Sequence, residues 1–424
     1  MGNLDYTQVL NKIENTRRFG NEPGVVVTAQ VIKVLREKGK QKRIIPYIHV
    51  AGTNGKGSVC AFFSSILKKE HMRVGTFVSP HLVDFEERIT VDGRMMPKED
   101  VTRLGNYLLD IDFGIGLTMF DYCLAMALLY FEEQQCNYMV IETGLGGRLD
   151  STNAIGTPQC AIITKIGYDH MAILGSDIAD IAAEKAGIIK ENSTVVVEQQ
   201  DKRAMQVIEQ EAQKKHARII TVEQSDIARC SGYALRLCGT FQWENAAAAE
   251  LAARYVLGKH YSGPEYEIQY DKTGPKSEKT NLNDRIKSAL EEAVWPGRME
   301  IVSKEPFLLV DGAHNSNGVD ALKESLMQMY PGEKFCFFMG VMADKDYDAM
   351  IREILPLAEE FYTVTPDSDR ALQASHLADF IRKEGVEATE LSGVDEIRKH
   401  LKRDTKNVAF GSLYFIGELK QHRI

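Results

Sequence analysis

The stretch of this chain that most restricts its fold is a glycine-rich loop at residues 51–58, with the sequence Ala-Gly-Thr-Asn-Gly-Lys-Gly-Ser. An apolar run at residues 44–50 precedes it, and a helical pattern at residues 59–69 follows it. A strand, a glycine-rich turn and a helix form the context in which backbone N–H groups surround a polyphosphate. The pattern therefore predicts a nucleotide-binding loop, and a plain surface turn before a helix is the alternative.

The loop departs from the strict phosphate-loop pattern at two places. Val50 occupies the position of the first glycine, and Gly57 separates Lys56 from Ser58. In a phosphate-binding loop Lys56 reaches the terminal phosphates and the Ser58 hydroxyl lies near the metal ion. The three glycines allow a tight turn and a close approach of the backbone to the ligand.

Composition limits the class of protein. A length of 424 residues suggests two or three domains, and 44% hydrophobic with 26% charged residues is typical of a globular protein in water. A net charge of −9 argues against a nucleic-acid binder. The seven cysteines include no C-x-x-C pair, which favours free thiols in a reducing compartment. Neither a signal peptide nor an apolar run of membrane-spanning length is visible, so we expect a cytoplasmic protein without membrane contact.

Strand-like and helical segments alternate after the loop, which predicts a mostly parallel sheet covered on both faces. Ligands then gather at the carboxyl ends of the strands. The predicted strands are residues 73–78, 138–141, 161–164, 194–197 and 218–221, and the predicted helices are 98–109, 120–135, 178–188 and 204–215.

A second domain is predicted beyond residue 297. Residues 259–284 are polar and poor in aliphatic side chains, which indicates a surface insertion, and residues 295–298 resemble a hinge. We expect an ATP-binding domain at 1–297 and a smaller α/β domain at 298–424 without its own phosphate loop. Its predicted strands are 307–310, 335–339, 361–364 and 408–410, and its predicted helices are 318–329, 347–357, 376–383 and 394–401.

Polar side chains follow several of these strands. Glu142 ends the strand 138–141 beside the phosphate loop, where a carboxylate is well placed for Mg²⁺. A helix-capping role is the alternative. Asp169 and His170 follow the strand 161–164, and the Ser79 hydroxyl follows the strand 73–78. Local sequence alone makes Lys185 an ordinary solvated helix lysine.

Taken together, these segments closely resemble the folylpolyglutamate synthase/dihydrofolate synthase family, a branch of the Mur ligase superfamily. The phosphate loop alone marks the wider superfamily, whereas Ser79-Pro80-His81-Leu82 and the run from Leu149 to Asn153 point to the folate branch. The matching segments, in chain order, are residues 49–58, 79–82, 87–89, 142–153, 169–170, 184–187, 241–246, 295–298, 311–315 and 411–414.

The resemblance implies an α/β fold and roles for individual residues. The N-terminal domain is expected to be of the phosphate-loop ATPase type with a mostly parallel sheet, and the C-terminal domain to be Rossmann-like. The resemblance implies that Lys185 is carbamylated and that two Mg²⁺ ions accompany ATP. Metal ligands are expected at Ser79, Glu142 and His170, ATP contacts at Thr53, Asn54, Gly55, Lys56, Gly57, Ser58, Asn245, Arg298 and Asp311, and catalytic roles at Lys56, Lys185, Asp311 and His314.

A folate site is also implied. The segment from Thr118 to Asp121 resembles a pterin-binding Thr-x-Phe-Glu motif, with Asp121 in the place of the usual Glu. Phe241 stands where many relatives have His, and the insertion at 259–284 is longer than usual. The expected substrate contacts are Thr118, Phe120, Asp121, Leu149, Asp150 and Ser151.

The reaction implied by the resemblance is ATP-driven amide formation. ATP would phosphorylate a carboxylate of a folate or of dihydropteroate, and the amine of L-glutamate would attack the acyl phosphate. The implied partners are these small molecules alone, and the chain is expected to be a monomer. Another Mur-type amino-acid ligase is one alternative. A nucleotide-dependent switch is the other, although Gly167 stands where the guanine signature requires Asp.

Overall fold

The computed structural model describes residues 3–17, 20–262 and 281–422, with the side chains of residues 259–262 left out. Two sheets organise this part of the chain. The prediction of an α/β architecture with two mostly parallel sheets is confirmed. Residues 263–280, most of the predicted insertion, lie outside the described residues.

The first sheet has eight strands in the order β4-β3-β2-β5-β1-β6-β7-β8, and all neighbours are parallel except β2–β3 and β3–β4. The central strands β1 and β5 are buried along their whole length, as expected of a sheet covered on both faces. The strands are β1 Tyr47–Ala51, β2 Val74–Phe77, β3 Ile89–Val91, β4 Arg94–Met95, β5 Tyr138–Glu142, β6 Cys160–Ile163, β7 Thr194–Val197 and β8 Arg218–Thr221.

Helices cover both faces of this sheet. One apolar cluster includes Phe62, Phe63 and the alanines of a long helix, and another includes the buried run from Cys123 to Phe131. The helices are α1 Tyr6–Glu14, α2 Gly24–Glu37, α3 Lys56–Lys69, α4 Lys98–Leu109, α5 Met119–Glu133, α6 Met171–Leu174, α7 Ile178–Ala186, α8 Lys202–Lys214, α9 Gln224–Ser231, α10 Phe241–Ser262 and α11 Leu282–Glu292, with short 3₁₀ helices at Phe85–Arg88 and Ser151–Ala154.

The second sheet has six strands in the order β13-β12-β11-β14-β10-β9, and only the edge pair β9–β10 is antiparallel. Its strands are β9 Glu300–Lys304, β10 Phe307–Val310, β11 Phe335–Met339, β12 Ala358–Thr363, β13 Ala388–Glu390 and β14 Lys406–Phe410. Its helices are α12 Ser316–Met329, α13 Tyr347–Ile354, α14 Ala374–Lys383, α15 Ile397–His400 and α16 Leu413–Gln421, with 3₁₀ helices at Leu355–Leu357 and Val394–Glu396.

Several sequence predictions of local structure were wrong. The insertion predicted from residue 259 begins inside α10 and ends inside α11, because both helices pack apolar side chains against α3. The single helix predicted over 394–401 is a 3₁₀ turn followed by one short helical turn. Within the described residues, no helix is both long and apolar enough to cross a membrane.

Candidate active site

A cavity of about 520 Å³ lies where the carboxyl ends of both sheets meet. The segments that follow β1, β2, β5, β6, β7 and β10 all contribute to its wall, which is the position expected for ligands of parallel sheets. Its lining includes Gly52, Thr53, Asn54, Gly55, Lys56, Gly57, Ser58, Ser79, Glu142, Asp169, His170, Lys185, Asn245, Arg298, Asp311 and His314.

The phosphate loop ends in the N-terminus of α3. Gly55 is the N-cap with a φ of 87°, and the first helical hydrogen bond runs from Val59 N to Gly55 O at 2.9 Å. The N–H groups of residues 56–58 precede that bond, and such groups at a helix N-terminus are donors for an anion. A Cβ on Gly55 would lie 2.3 Å from Asn245 Oδ1, so this turn accepts only glycine.

Lys56 is held over this turn. Its Nζ donates to Gly52 O and Thr53 O, each at 3.2 Å, and lies 3.8 Å from Glu142 Oε1. Burial raises the pKa of Glu142, while the Lys56 charge and the Ser79 N–H lower it. An ammonium, a carboxylate and a helix N-terminus therefore share one small region, which suits a bound polyphosphate with its cation.

Thr53 and Asn54 line the cavity, but much of their bonding capacity serves the protein. Their backbone N–H groups donate to Lys165 O at 2.9 and 3.2 Å. The Thr53 hydroxyl donates to Gly167 O and accepts from Gly167 N, both at 3.0 Å. The Asn54 amide exchanges two hydrogen bonds of 3.1 Å with the amide of Asn315 in the second sheet's half of the molecule. These two residues fix the loop in place.

The three predicted metal ligands line the same cavity. Ser79 N donates to Glu142 Oε2 at 3.3 Å, whereas His170 Nε2 lies 3.9 Å from Asp169 Oδ1. Burial lowers the pKa of His170 to about 4, which leaves its imidazole neutral and able to act as a ligand. Among the described residues no group of three or more His, Cys, Asp or Glu side chains forms a candidate metal site.

This donor set nevertheless fits Mg²⁺ delivered with a nucleotide. Mg²⁺ keeps several waters and is commonly held by one or two carboxylates together with substrate phosphates. Glu142 supplies the carboxylate, and the buried hydroxyl of Thr143, the next residue, has no hydrogen-bond partner in the described structure. This unpaired oxygen, on a residue that lines the same cavity as Glu142, is an acceptor for a further polar group such as a cation-bound water.

Lys185 is buried in α7, which corrects the expectation from local sequence of a solvated side chain. Its Nζ donates to Gly52 O at 2.8 Å, at the start of the phosphate loop. Burial, assisted by the charge of Lys56, lowers the pKa of Lys185 to about 7. The side chain is therefore directed at the phosphate loop, and its amine is partly neutral at pH 7.

The second sheet contributes Asp311, His314 and Arg298. The Asp311 carboxylate accepts from Met299 N and Ala313 N, both at 2.8 Å, and burial raises its pKa while Arg298 opposes that shift. His314 Nδ1 lies 2.8 Å from Gly312 O, and its Nε2 faces Asp169 Oδ2 at 3.4 Å.

Asp169 joins the two halves of the site. It follows β6 of the first sheet, yet it contacts Lys345 Nζ at 2.6 Å, Asn315 Nδ2 at 3.2 Å and His314 Nε2 at 3.4 Å. Burial alone would raise its pKa, but the hydrogen bond to His314 and the charge of Lys345 hold it well below its usual range. The carboxylate is therefore ionised and bridges the sheets across the cavity.

The residues predicted to bind substrate do not line this cavity. Thr118 caps α5 through a capping box with Asp121, whose other oxygen accepts from Ser151 Oγ at 2.6 Å. Asp150 accepts from the N–H groups of Gly144 and Leu145, and Phe120 packs over Gly144. Leu149 is exposed. The structure joins Asp121 to Thr118 and Ser151 and places Phe120 and Asp150 at Gly144, but the carboxylate oxygens of Asp121 and Asp150 accept hydrogen bonds from the chain itself.

Sequence reasoning missed several residues at the site. Gln242 Nε2 donates to Ser58 Oγ at 3.2 Å and its Oε1 accepts from Asn245 at 2.9 Å. Glu198 directly follows β7 and lines the cavity, and Lys345 follows β11. The rule that ligands gather at carboxyl ends of parallel strands points to both Glu198 and Lys345. Gln242 lies in the matching segment 241–246, but the sequence assigned it no role.

Comparisons with known proteins agree with this architecture. The Mur ligase middle-domain family matches residues 50–253, and the Mur ligase glutamate ligase-domain family matches residues 297–410. The dihydrofolate synthase/folylpolyglutamate synthase of Bacillus subtilis is 32% identical over 98% of both chains. The folylpolyglutamate synthase of Lacticaseibacillus casei is 29% identical over 87% of both chains.

Solved structures extend the likeness to the fold. The E. coli FolC protein in complex with DHPP and ADP superposes with a TM-score of 0.80, at 26% identity over 99% of this chain and 97% of that one. The Thermotoga maritima folylpolyglutamate synthase gives 0.76, at 27% identity over 98% and 96%. Since a relative more than 30% identical extends over nearly the whole chain, this protein belongs to the dihydrofolate synthase/folylpolyglutamate synthase family of Mur ligases.

Proposed function

We propose that the chain is an ATP-dependent ligase that joins L-glutamate to a folate, to dihydropteroate, or to both, through an acyl phosphate. Membership of the family supports the ligase class and removes the nucleotide-switch alternative. The proposal rests on one observation, which is that both halves of the molecule line a single cavity. The first half contributes Lys56 and Glu142, and the second contributes Arg298, Asp311 and His314.

The chemistry requires an activated carboxylate. A carboxylate oxygen attacks the γ-phosphorus of ATP, the bond to the β–γ bridging oxygen breaks, and ADP leaves. The glutamate amine then attacks the acyl carbon, loses a proton and expels inorganic phosphate. Lys56 and the N-terminus of α3 stabilise charge that develops on the γ-phosphate, and the closely joined halves exclude water from the acyl phosphate.

Glu142, Ser79 and His170 would hold Mg²⁺ when ATP is bound. Mg²⁺ would neutralise phosphate charge, which is the chemistry that ATP-dependent phosphoryl transfer needs. Arg298, Asp311 and Asn245 are proposed to contact the nucleotide, since all three line the cavity beside the phosphate loop. A second ion is part of the same proposal.

We further propose that Lys185 is carbamylated. Its buried amine has a pKa of about 7, so a large fraction is neutral at pH 7 and nucleophilic toward CO₂. An uncharged amine adds to CO₂ with loss of one proton, and the product is an anion with two oxygens. Lys185 lies against Gly52 of the phosphate loop, where an anion would suit Mg²⁺ better than an ammonium does.

The remaining parts of the proposal concern substrates and assembly. The substrate is proposed to contact Thr118, Phe120, Asp121, Leu149, Asp150 and Ser151. The proposed domains are residues 1–297 and residues 298–424. The protein is proposed to act in the cytoplasm as a monomer on small molecules, without nucleic acid.

One assay tests the activity directly. Labelled glutamate is supplied with ATP and Mg²⁺, and either dihydropteroate or tetrahydrofolate is offered as the acceptor. Label should enter a folate product, with one ADP and one phosphate released per glutamate added. No incorporation with either acceptor, while another Mur-type acceptor accepts an amino acid, would overturn the folate assignment and leave the ligase class intact.

A further inference from the structure

The central strand of the first sheet carries a buried histidine that the reaction described above does not use. His49 lies on β1, and its imidazole is fully buried. Its Nε2 lies 2.8 Å from Thr152 Oγ1, whereas its Nδ1 has no partner in the described structure. A half-satisfied imidazole in the core of a sheet needs an explanation, because burying an unpaired polar atom costs free energy.

The hydrogen-bond chain beyond Thr152 fixes the tautomer of His49. The Thr152 hydroxyl gives its one proton to Asp150 Oδ1 at 2.5 Å, and the Asp150 carboxylate only accepts. Thr152 Oγ1 must therefore accept from His49, so the proton sits on Nε2 and Nδ1 carries a lone pair. Burial and the charge of Lys190 lower the pKa of His49 to about 3, in agreement with a neutral ring.

The other oxygen of the Asp150 carboxylate binds a loop that lines the cavity. Asp150 Oδ2 accepts from Gly144 N at 3.0 Å and from Leu145 N at 2.8 Å. Both residues belong to the loop that follows Glu142, and both line the cavity. The Phe120 ring clamps Gly144 from another side, since a Cβ there would lie 2.7 Å from the ring. The loop position is therefore set by Asp150 and Phe120 together.

The same loop also reaches Lys185. A Cβ on Gly147 would lie 2.8 Å from Glu184 O and 3.0 Å from Lys185 O, so the loop packs directly on the last turn of α7. One short loop thus separates the carboxylate of Glu142 from the backbone that carries Lys185. A shift of this loop would alter the distance between these two groups.

We infer that His49 is a positioning residue for the ligase reaction: in its Nε2-protonated form it holds Thr152 and Asp150, which fix the loop between Glu142 and Lys185. The inference rests on the proposed function for its activity assay. Groups that orient ligands in this indirect way commonly change activity by about 10- to 100-fold when they are removed.

The test compares two substitutions at one position. His49→Leu removes the donor with little change in volume, whereas a glutamine amide can place an N–H near the position of Nε2. We expect His49→Leu to lower kcat by about tenfold or more with KM for ATP within about twofold, and His49→Gln to recover most of that loss. Thr152→Val should reproduce the effect of His49→Leu.

Thr363→Val is the matched control. Thr363 is fully buried like Thr152, although it ends strand β12 whereas Thr152 lies in a 3₁₀ helix, and its hydroxyl donates to Ala374 O of α14 at 2.9 Å. It should lower the melting temperature about as much as Thr152→Val and leave kcat unchanged. The inference fails when His49→Leu keeps kcat within about twofold of the parent, or when His49→Gln is as impaired as His49→Leu.

If a variant does not fold, the tautomer of His49 can still be measured on the parent protein without an activity assay. Imidazole ¹⁵N spectra of the parent protein should show one ring protonated at Nε2 and bare at Nδ1 that does not titrate above pH 5, and this signal should be missing in His49→Gln. A signal protonated at Nδ1 would overturn the inference. Parent protein that incorporates no glutamate would instead count against the proposed function, and the spectrum would still decide the tautomer.

Discussion

The Lys56 ammonium has two kinds of partner: acceptors of the protein itself and, by the proposed function, the terminal phosphates of ATP. Its ammonium donates to Gly52 O and Thr53 O and lies 3.8 Å from Glu142. When a triphosphate occupies the helix N-terminus, the phosphate oxygens offer a stronger, charge-assisted acceptor. Lys56 is therefore already directed toward the place where the terminal phosphates would bind.

Replacement of Lys56 by alanine should lower kcat/KM for ATP by about two orders of magnitude, or ~3 kcal/mol, because a charge-assisted contact to phosphate is lost. Folding should survive, since the side chain contributes little apolar surface. The measurement is glutamate incorporation at varied ATP. Lys68→Ala, an exposed lysine in the last turn of the same helix, should behave as the parent protein. Near-normal turnover of Lys56→Ala would show that this loop does not take part in the reaction as proposed.

Lys185 gives a second prediction at this scale. With dissolved ¹³CO₂ held constant, a carbamate signal should appear and grow as the pH rises through about 7, where the buried ammonium becomes a neutral amine. The sign follows from the lowered pKa, since the protonated form cannot attack CO₂. Lys185→Arg should lose both the signal and the ligase activity.

The control for the carbamate is a nearby lysine. Lys190 is also partly buried and its pKa is also lowered by burial, yet it donates to Asn153 O and does not line the cavity. Lys190→Arg should therefore keep the signal. A signal that persists in Lys185→Arg would assign the adduct to another amine and contradict the proposal.

At the scale of elements, the phosphate loop and α10 are built to fit each other. Gly55 has a φ of 87°, and a Cβ there would lie 2.3 Å from Asn245 Oδ1. Both the backbone conformation and the neighbouring helix thus require glycine. The turn cannot change its course without moving Asn245 or the first residues of α3.

Gly55→Ala should therefore weaken ATP binding by about tenfold or more, because the strained turn and the displaced amide move the N–H donors of α3. Calorimetric titration with ATP measures this directly. Gly116→Ala is the matched control, since nothing lies within 4 Å of a Cβ at that glycine and its φ is not positive. Equal affinities of the two variants would show that the turn tolerates a side chain.

The sequence was most informative where apolar runs were long and flanked by glycine or polar clusters. The strand predicted at 138–141 is β5, Tyr138–Glu142, and the helix predicted at 120–135 is α5, Met119–Glu133. The family prediction is also confirmed. These segments succeed because burial on both faces leaves an unbroken apolar pattern.

The elements that the sequence did not reveal depend on tertiary packing. Helix α10, Phe241–Ser262, is rich in alanine, and its buried alanines lie against α3. Because alanine occupies many positions of this segment, large apolar residues do not recur at helical spacing, and the sequence pattern did not predict a helix there. The first two helices, Tyr6–Glu14 and Gly24–Glu37, were missed as well, although Asp5 forms a capping box with Gln8.

The candidate site likewise contains residues that strand ends indicate and residues that only tertiary packing brings together. Glu142 and Ser79, which the sequence places at strand ends, both line the cavity, because parallel strands end at one edge. The bridge from Asp169 to Lys345 joins residues 176 positions apart, and no local pattern records that contact. Likewise, the second oxygen of Asp121, which takes no part in the local capping box with Thr118, accepts from Ser151 and Thr28, which lie far from it in the chain.

At the scale of the whole molecule, a small polar contact around Asp169 links residues of the first sheet's half to residues of the second's. The side chains of Asp169 and Lys345 are only 8% and 10% exposed, and Asn54 and Asn315 add two amide hydrogen bonds beside them. Exposed ion pairs contribute little because water screens them, whereas a nearly buried pair is screened less. This bridge should therefore make a measurable contribution to the joined arrangement.

A double-mutant cycle with Asp169→Asn and Lys345→Met should give a coupling free energy of at least about 1.5 kcal/mol in urea unfolding. Each single variant should lose more stability than the double variant, because each leaves one nearly buried charge without its partner. The same cycle on Lys69 and Glu292 supplies the comparison. That pair has a similar separation of 2.7 Å but side chains 35% and 52% exposed, so its coupling should stay below about 1 kcal/mol.

The two couplings together decide whether this contact joins the sheets. Because Asp169 also faces His314 and Asn315, loss of Lys345 alone leaves part of the bridge intact, and the Lys345→Met protein should still fold. Because its two sheets should come together less often than in the parent protein, kcat should fall although the Lys345→Met protein remains folded. Equal couplings for the buried and the exposed pair would mean that apolar contacts, such as the packing of Leu82 on the cluster that includes Ile416, hold the halves together without the bridge.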